Sequence, residues 1–216
     1  PEANYFGSDS FTFKANDGIA DSNTSSVTIS VVSVNDTPVS STTSATTNED
    51  TSVEIGLTAT DADQDALTYS VVTAPVHGTV SITGSTATYT PEANYFGSDS
   101  FTFKANDGTA DSNFSGVTLT ITSVNDAPVF ASALAVSVSE STATNTTLLS
   151  FSASDPEGSS ITYTLSESTA PFAIRNTSEL YLTQALDYET TTSYTLEVTA
   201  SDGALSTTTS LNITVE

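Results

Sequence analysis

Hydrophobic residues alternate with polar ones along most of the chain. Val117, Leu119 and Ile121 are separated by Thr118 and Thr120, and Phe101, Phe103 and Ala105 by Thr102 and Lys104. Ile161, Tyr163 and Leu165 continue the pattern, as do Tyr194, Leu196 and Val198, then Leu211, Ile213 and Val215. Successive side chains on a strand point to opposite faces, so a period of two predicts strands with one buried face. Turn signals divide these runs at His77-Gly78, Gly84, Asn106-Asp107-Gly108, Asp155-Pro156-Glu157-Gly158 and Asp202-Gly203. No segment carries a helical period long enough to compete. The expected fold class is all-β, with immunoglobulin-like Greek-key sandwiches in tandem.

The tandem arrangement follows from an internal repeat. Residues 1–18, PEANYFGSDSFTFKANDG, recur unchanged at 91–108, and the match continues through ADSN (20–23 and 110–113) to SVND (33–36 and 123–126). A period of this length suits independent sandwiches rather than a solenoid. Residues 1–36 therefore read as the C-terminal part of one repeat and 37–127 as a complete second copy. Residues 128–216 form a third unit of similar length and divergent sequence. The first segment offers two or three strands, around Phe11–Ala15 and Val27–Val32, too few to bury a core. Either an upstream half or another chain completes it.

Composition narrows the function classes. Three basic residues stand against 26 acidic ones, for a formal charge of -23. Such a surface repels nucleic acid and anionic membrane, and no apolar run long enough to enter a bilayer is present. Its carboxylates, short of positive partners, must face water or cations. The chain has no cysteine and one histidine, His77, which leaves no basis for Cys or His nucleophile systems. His77 precedes a turn glycine and reads as structural. The acids cluster near turns and linkers rather than in a cleft, so no enzyme is expected. A carbohydrate-binding or spacer module of a secreted polysaccharide-active enzyme is the alternative. It is weakened by the absence of Trp and by the core-facing registers of Tyr69, Tyr163, Phe101 and Phe103.

Several motifs together resemble the cadherin superfamily. Leu186-Asp187-Tyr188-Glu189 is similar to its Leu-Asp-Arg-Glu motif, Asp155-Pro156-Glu157 to its Asp-Xaa-Asp pair, and Glu140 to its early Glu. The run Leu196–Gly203 resembles its late strand ending in a ligand Asp. The middle repeat resembles the cadherin-like repeats of large bacterial surface adhesins, with Glu49 as early Glu, Asp61-Ala62-Asp63 as the pair and Asp107 as the late Asp. The resemblance implies Ca2+ at the Asn-Asp-Xaa-Pro linkers. At the first junction it implies Glu2, Asn35 and Asp36 with Asp61, Asp63 and Asp107. At the second it implies Glu49, Glu92, Asn125 and Asp126 with Asp155, Glu157 and Asp202. Hard oxygen donors in groups of this size suit Ca2+, which takes six to eight. The family linker begins with Asp, whereas this chain has Ser33 and Ser123, and Asn94 stands where the middle repeat should have a Glu. Fewer or weaker ions per junction are expected.

The Asp-Gly pairs at 107–108 and 202–203 would by themselves be read as turns; their recurrence in register with the other acids favours ligation. The function implied is a calcium-stiffened extender or adhesion module of a secreted or cell-surface protein, serving cell adhesion or biofilm attachment. Its partners would be neighbouring repeats, with homotypic contacts and cell-surface glycans or proteins left open.

Overall fold

The computed structural model describes residues 1–165 and 171–216. Every regular element among them is a strand, as the alternation predicts. The chain divides into two compact units, Pro1–Ser123 and Val124–Glu216.

In the first unit, β1 (Gly7–Phe13) and β2 (Ser25–Val31) form a two-stranded antiparallel pair. A sandwich follows. Its strands are β3 (Val39–Ser40), β4 (Thr43–Asn48), β5 (Val53–Gly56), β6 (Ala59–Thr60), β7 (Thr68–Thr73), β8 (Gly78–Thr83), β9 (Thr86–Pro91), β10 (Gly97–Asn106) and β11 (Ser115–Thr122). One sheet has the order β4-β11-β10-β7 and the other β5-β9-β8, with β3 paired to β6. β4 runs parallel to β11 and the remaining pairs are antiparallel. The inward set of the alternation fills the space between the sheets: Ile55, Ala87 and Tyr89 from one side meet Phe101, Phe103, Val117, Leu119 and Ile121 from the other. Each large apolar side chain buried this way contributes about 1.5–3 kcal/mol.

The second unit repeats this topology with different residues. β12 (Val129–Phe130) pairs with β15 (Ala153–Ser154). β13 (Leu134–Val138), β20 (Ser206–Val215), β19 (Ser193–Ser201) and β16 (Thr162–Leu165) form one sheet in that order. β14 (Thr147–Ser150), β18 (Glu179–Leu182) and β17 (Phe172–Arg175) form the other. Again the first strand of the larger sheet, β13, lies parallel to the last, β20. The core is built on Phe172, Leu180, Leu182, Leu196, Val198, Leu211, Ile213 and Val215.

The β1–β2 pair keeps the register of β10–β11, and β1 has the same sequence as Gly97–Phe103. Phe11 lies opposite Val27 and Phe13 opposite Ser25, just as Phe101 lies opposite Val117 and Phe103 opposite Ser115. Burial is not copied. Phe11 and Phe13 are 53% and 50% exposed, whereas Phe101 and Phe103 are 1% and 0%. The first strand is also shorter than its counterpart, ending at Phe13 rather than reaching the expected Ala15. β10 extends to Asn106 because β7 pairs with Lys104, Ala105 and Asn106, and among the described residues no strand takes that place beside β1.

Candidate metal centre

The Asp-Gly turns set the geometry of both linkers. Asp107 closes the β10–β11 hairpin, its Oδ1 accepting hydrogen bonds from the backbone N–H groups of Thr109 at 2.6 Å and Ala110 at 2.7 Å. Asp202 does the same between β19 and β20, with Ala204 at 2.6 Å and Leu205 at 2.7 Å. Gly108 and Gly203 follow at φ +97° and +102° with open space around each, so the left-handed backbone rather than crowding requires glycine. One oxygen of each Asp makes the turn and the other remains available. Asp107 Oδ2 accepts from the Asn35 amide at 3.0 Å, and Asp202 Oδ2 accepts from the Asn125 amide at 2.7 Å. The N–H of Ala110, with the Asn35 amide, holds Asp107 below the usual carboxylate range. The N–H of Ala204, with the Asn125 amide, does so for Asp202.

The second acid of each Asp-Xaa-Asp or Asp-Xaa-Glu pair takes the next linker residue. Asp63 Oδ2 accepts from the backbone N–H of Asp36 at 2.7 Å, and Glu157 Oε2 from that of Asp126 at 2.9 Å. Two units with different cores thus hold their linkers by the same two hydrogen bonds. The leading acid of each pair is tied into its own loop: Asp61 Oδ1 accepts from Asp65 N–H at 3.1 Å and Asp155 Oδ1 from Ser159 N–H at 2.9 Å.

These groups fit a hard cation. One carboxylate oxygen from each of Asp61, Asp63 and Asp65 lies within 4.8 Å of the other two. Ligands of a single Ca2+ at 2.3–2.6 Å can be no more than about 5 Å apart. Asp61 Oδ2, Asp155 Oδ2 and Glu157 Oε1 are buried without a hydrogen-bond partner, a costly condition for carboxylate oxygens unless a cation meets them. Among the described residues, no Lys or Arg side chain is paired with them. The three basic side chains are engaged elsewhere: Lys14 beside Asp21 at 3.7 Å, Lys104 beside Asp111 at 2.6 Å, and Arg175 beside Glu179 at 3.2 Å.

The remaining expected ligands are placed as follows. Glu2 lines a shallow pocket of about 270 Å³ together with Asn4, Ser33, Asp36 and Asp63. Glu49 is 3% exposed, and its N–H donates to the carbonyl of Thr122 at 3.0 Å. Glu92 lies on an exposed turn, its carboxylate 3.7 Å from His77 Nδ1, and His77 stacks on Tyr95 with centroids 4.0 Å apart. At the far end of the second unit, Glu140 Oε2 accepts from Tyr188 N–H at 3.0 Å, joining the early Glu to the Leu-Asp-Tyr-Glu segment. Two participants were not foreseen. Asp65 extends the pair to an Asp-Xaa-Asp-Xaa-Asp run, a spacing visible in the sequence. Ser33 Oγ donates to Asp63 Oδ1 at 3.1 Å, so the residue replacing the family's leading Asp brings a donor in place of another negative charge.

Comparison with known proteins agrees with this architecture. Residues 35–122 match the bacterial Ig domain model and residues 134–216 the cadherin domain model. The protocadherin-like wing polarity protein stan of Drosophila melanogaster is 36% identical over 182 residues, covering 74% of this chain and 5% of that protein. The chain thus spans a small fraction of this relative's length. Among solved structures, mouse protocadherin-24 EC1-3 superimposes with a TM-score of 0.60 at 20% identity, over 99% of this chain and 80% of that one. Human protocadherin-24 EC1-2 does so at 0.52 and 20%, over 84% and 100%. At these identities the structural likeness shows the fold. With a bacterial Ig domain match followed by a cadherin domain match, and the same strand order in both, the chain is a tandem of cadherin-like repeats.

Proposed function

We propose that the chain is a calcium-stiffened extender and adhesion segment of an extracellular protein, secreted or held at a cell surface. The observation that carries this reading is the duplicated linker latch, Asn35–Asp107 with Asp36–Asp63 and Asn125–Asp202 with Asp126–Glu157, beside buried carboxylate oxygens that lack a partner. Asn35, Asp36, Asp61, Asp63 and Asp107 would hold one ion with Glu2 at the rim. Asn125, Asp126, Asp155, Glu157 and Asp202 would hold another. Glu49 and Glu92 stay in the proposed ligand set on their sequence positions alone. A bound Ca2+ would supply the positive charge these acids lack and cross-link each linker to the repeat that follows it. Cell adhesion or biofilm attachment, through homotypic contacts or cell-surface glycans or proteins, is the biological role this supports. The repeats 1–36, 37–127 and 128–216 are the proposed units of the array.

Thermal unfolding in excess Ca2+ and in chelator tests the reading. A ligand bound only by the native state stabilises it by about 2.7 kcal/mol at a hundredfold excess over Kd, so melting should shift upward with Ca2+. Asp63→Asn should remove most of the shift assigned to the first linker. Coincident melting curves in the two conditions would refute the proposal.

A further inference from the structure

The first linker is held by donors of its own chain. Asp63 Oδ1 accepts from the Ser33 hydroxyl at 3.1 Å and Asp63 Oδ2 from Asp36 N–H at 2.7 Å, while Asp107 Oδ2 accepts from the Asn35 amide at 3.0 Å. We infer that Ser33, at the position where cadherin linkers begin with Asp, makes this linker self-latching: it is ordered on the repeat that follows without help from a cation. The inference deepens the calcium reading and rests on it only for what Ca2+ adds, since the latch itself is measured in chelator.

Three linker residues reach two separate loops. Asp63 lies between β6 and β7, and Asp107 in the β10–β11 hairpin, so Ser33, Asn35 and Asp36 are tied down at two points. Asn35 Nδ2 also donates to the Asp36 carbonyl at 3.1 Å, closing the linker on itself. Just downstream, Pro38 is fully buried. Ser40 N–H donates to Asn113 Oδ1 at 3.0 Å, and Ser40 Oγ to the Asn113 carbonyl at 2.7 Å. The segment 33–40 is therefore pinned at both ends. At its upstream end every donor is neutral and every acceptor outside the linker is a carboxylate, a pairing stronger than one between two neutral groups.

A carboxylate at position 33 would act the other way. Placed where the Ser33 hydroxyl meets Asp63 Oδ1, it would set two negative oxygens against each other in place of a donor and an acceptor. Only a cation between them would turn that repulsion into attraction. Ordering a chain segment costs conformational entropy. With serine the protein's own hydrogen bonds offset it and the linker is preorganised for the ion; with aspartate the ion would have to do so. Ser33 is thus a positioning residue that decides whether Ca2+ creates linker order or adds to it.

Residue-resolved amide hydrogen exchange at Asp36, measured on the full chain in chelator and in excess Ca2+, tests this. In chelator the Asp36 N–H should exchange on the order of tenfold or more slowly than an unstructured amide. Asp63→Ala should remove that protection. Ser33→Asp should remove it in chelator and regain it in Ca2+, a reversal that a merely structural serine would not show. Ser33 is exposed, and unchanged exchange in β10 and β11 will verify that both variants keep the sandwich. Exchange of the wild-type Asp36 amide at the unstructured rate in chelator would overturn the inference. So would protection in chelator that survives either substitution. If the wild type is protected in chelator and Ser33→Asp is unprotected in both conditions, the latch stands and the calcium reading fails.

Discussion

Asp99 shows how much one side chain can organise. It is an acid at an inward position of the β10 alternation and is 7% exposed. Its Oδ1 accepts from the N–H groups of Val76 and Ser100, and its Oδ2 from His77 N–H and the buried Tyr89 hydroxyl. Burial pushes this carboxyl up, but the donors of Val76, Ser100, His77 and Tyr89 outweigh it and leave Asp99 below the usual range. A folded-state pKa that is lowered contributes stability above the ordinary carboxylate range, lost as pH falls through the lowered value. Asp99→Asn replaces an acceptor with a donor facing donors and should cost about 1.5–3 kcal/mol in urea denaturation. It should also flatten the acid limb of stability against pH. Next to it, a Cβ on Gly78 would lie 2.5 Å from the Thr90 carbonyl oxygen and 2.6 Å from the Tyr89 ring. Gly78→Ala should therefore destabilise by about 1–3 kcal/mol, measured the same way. At this scale the sequence was partly legible. The Asp-Gly turns and the Asn-Asp linkers stand out because they recur in register. The division of labour between the two oxygens of Asp107, and the hydroxyl of Ser33 on Asp63, depend on backbone geometry that no spacing reveals.

Strands were the most legible level, because the period-two pattern is the direct imprint of a half-buried sheet. Phe101, Phe103, Val117, Leu119 and Ile121 were readable as core and are all at most 3% exposed. What the pattern could not convey is whether a face has anything to pack against, since β1 carries the same letters as the start of β10. The contrast makes a sharp comparison of identical residues in two settings. Phe101→Ala should cost about 3–5 kcal/mol as a buried aromatic truncation. Phe11→Ala, the same substitution in the same local sequence, should change stability by no more than about 0.5 kcal/mol. Equal losses in urea denaturation would mean that the first strand pair is covered in solution. Strand ends were the least legible, as β1 stops where β10 continues only because β7 is there to pair with it.

For the molecule as a whole, a charge of -23 brings self-repulsion that any salt will relieve. Screening by monovalent ions at 0.1 M already confines exposed charge–charge effects to about 10 Å. Melting should therefore rise gradually with NaCl, whereas the proposed Ca2+ effect should saturate and persist in about 0.5 M NaCl, where screening is nearly complete. A calcium response that disappears in that salt would mark it as a general charge effect. The scarcity of basic residues has one more consequence, for proteolysis. Trypsin has three side chains to cut after, Lys14, Lys104 and Arg175. Lys104 lies within β10, with β7 and its own cross-strand neighbours around it, and Arg175 within β17. Lys14 lies just past the end of β1 in the uncovered half-repeat. Digestion of the native chain should begin there, so the first cut should fall between β1 and β2 and leave both sandwiches whole.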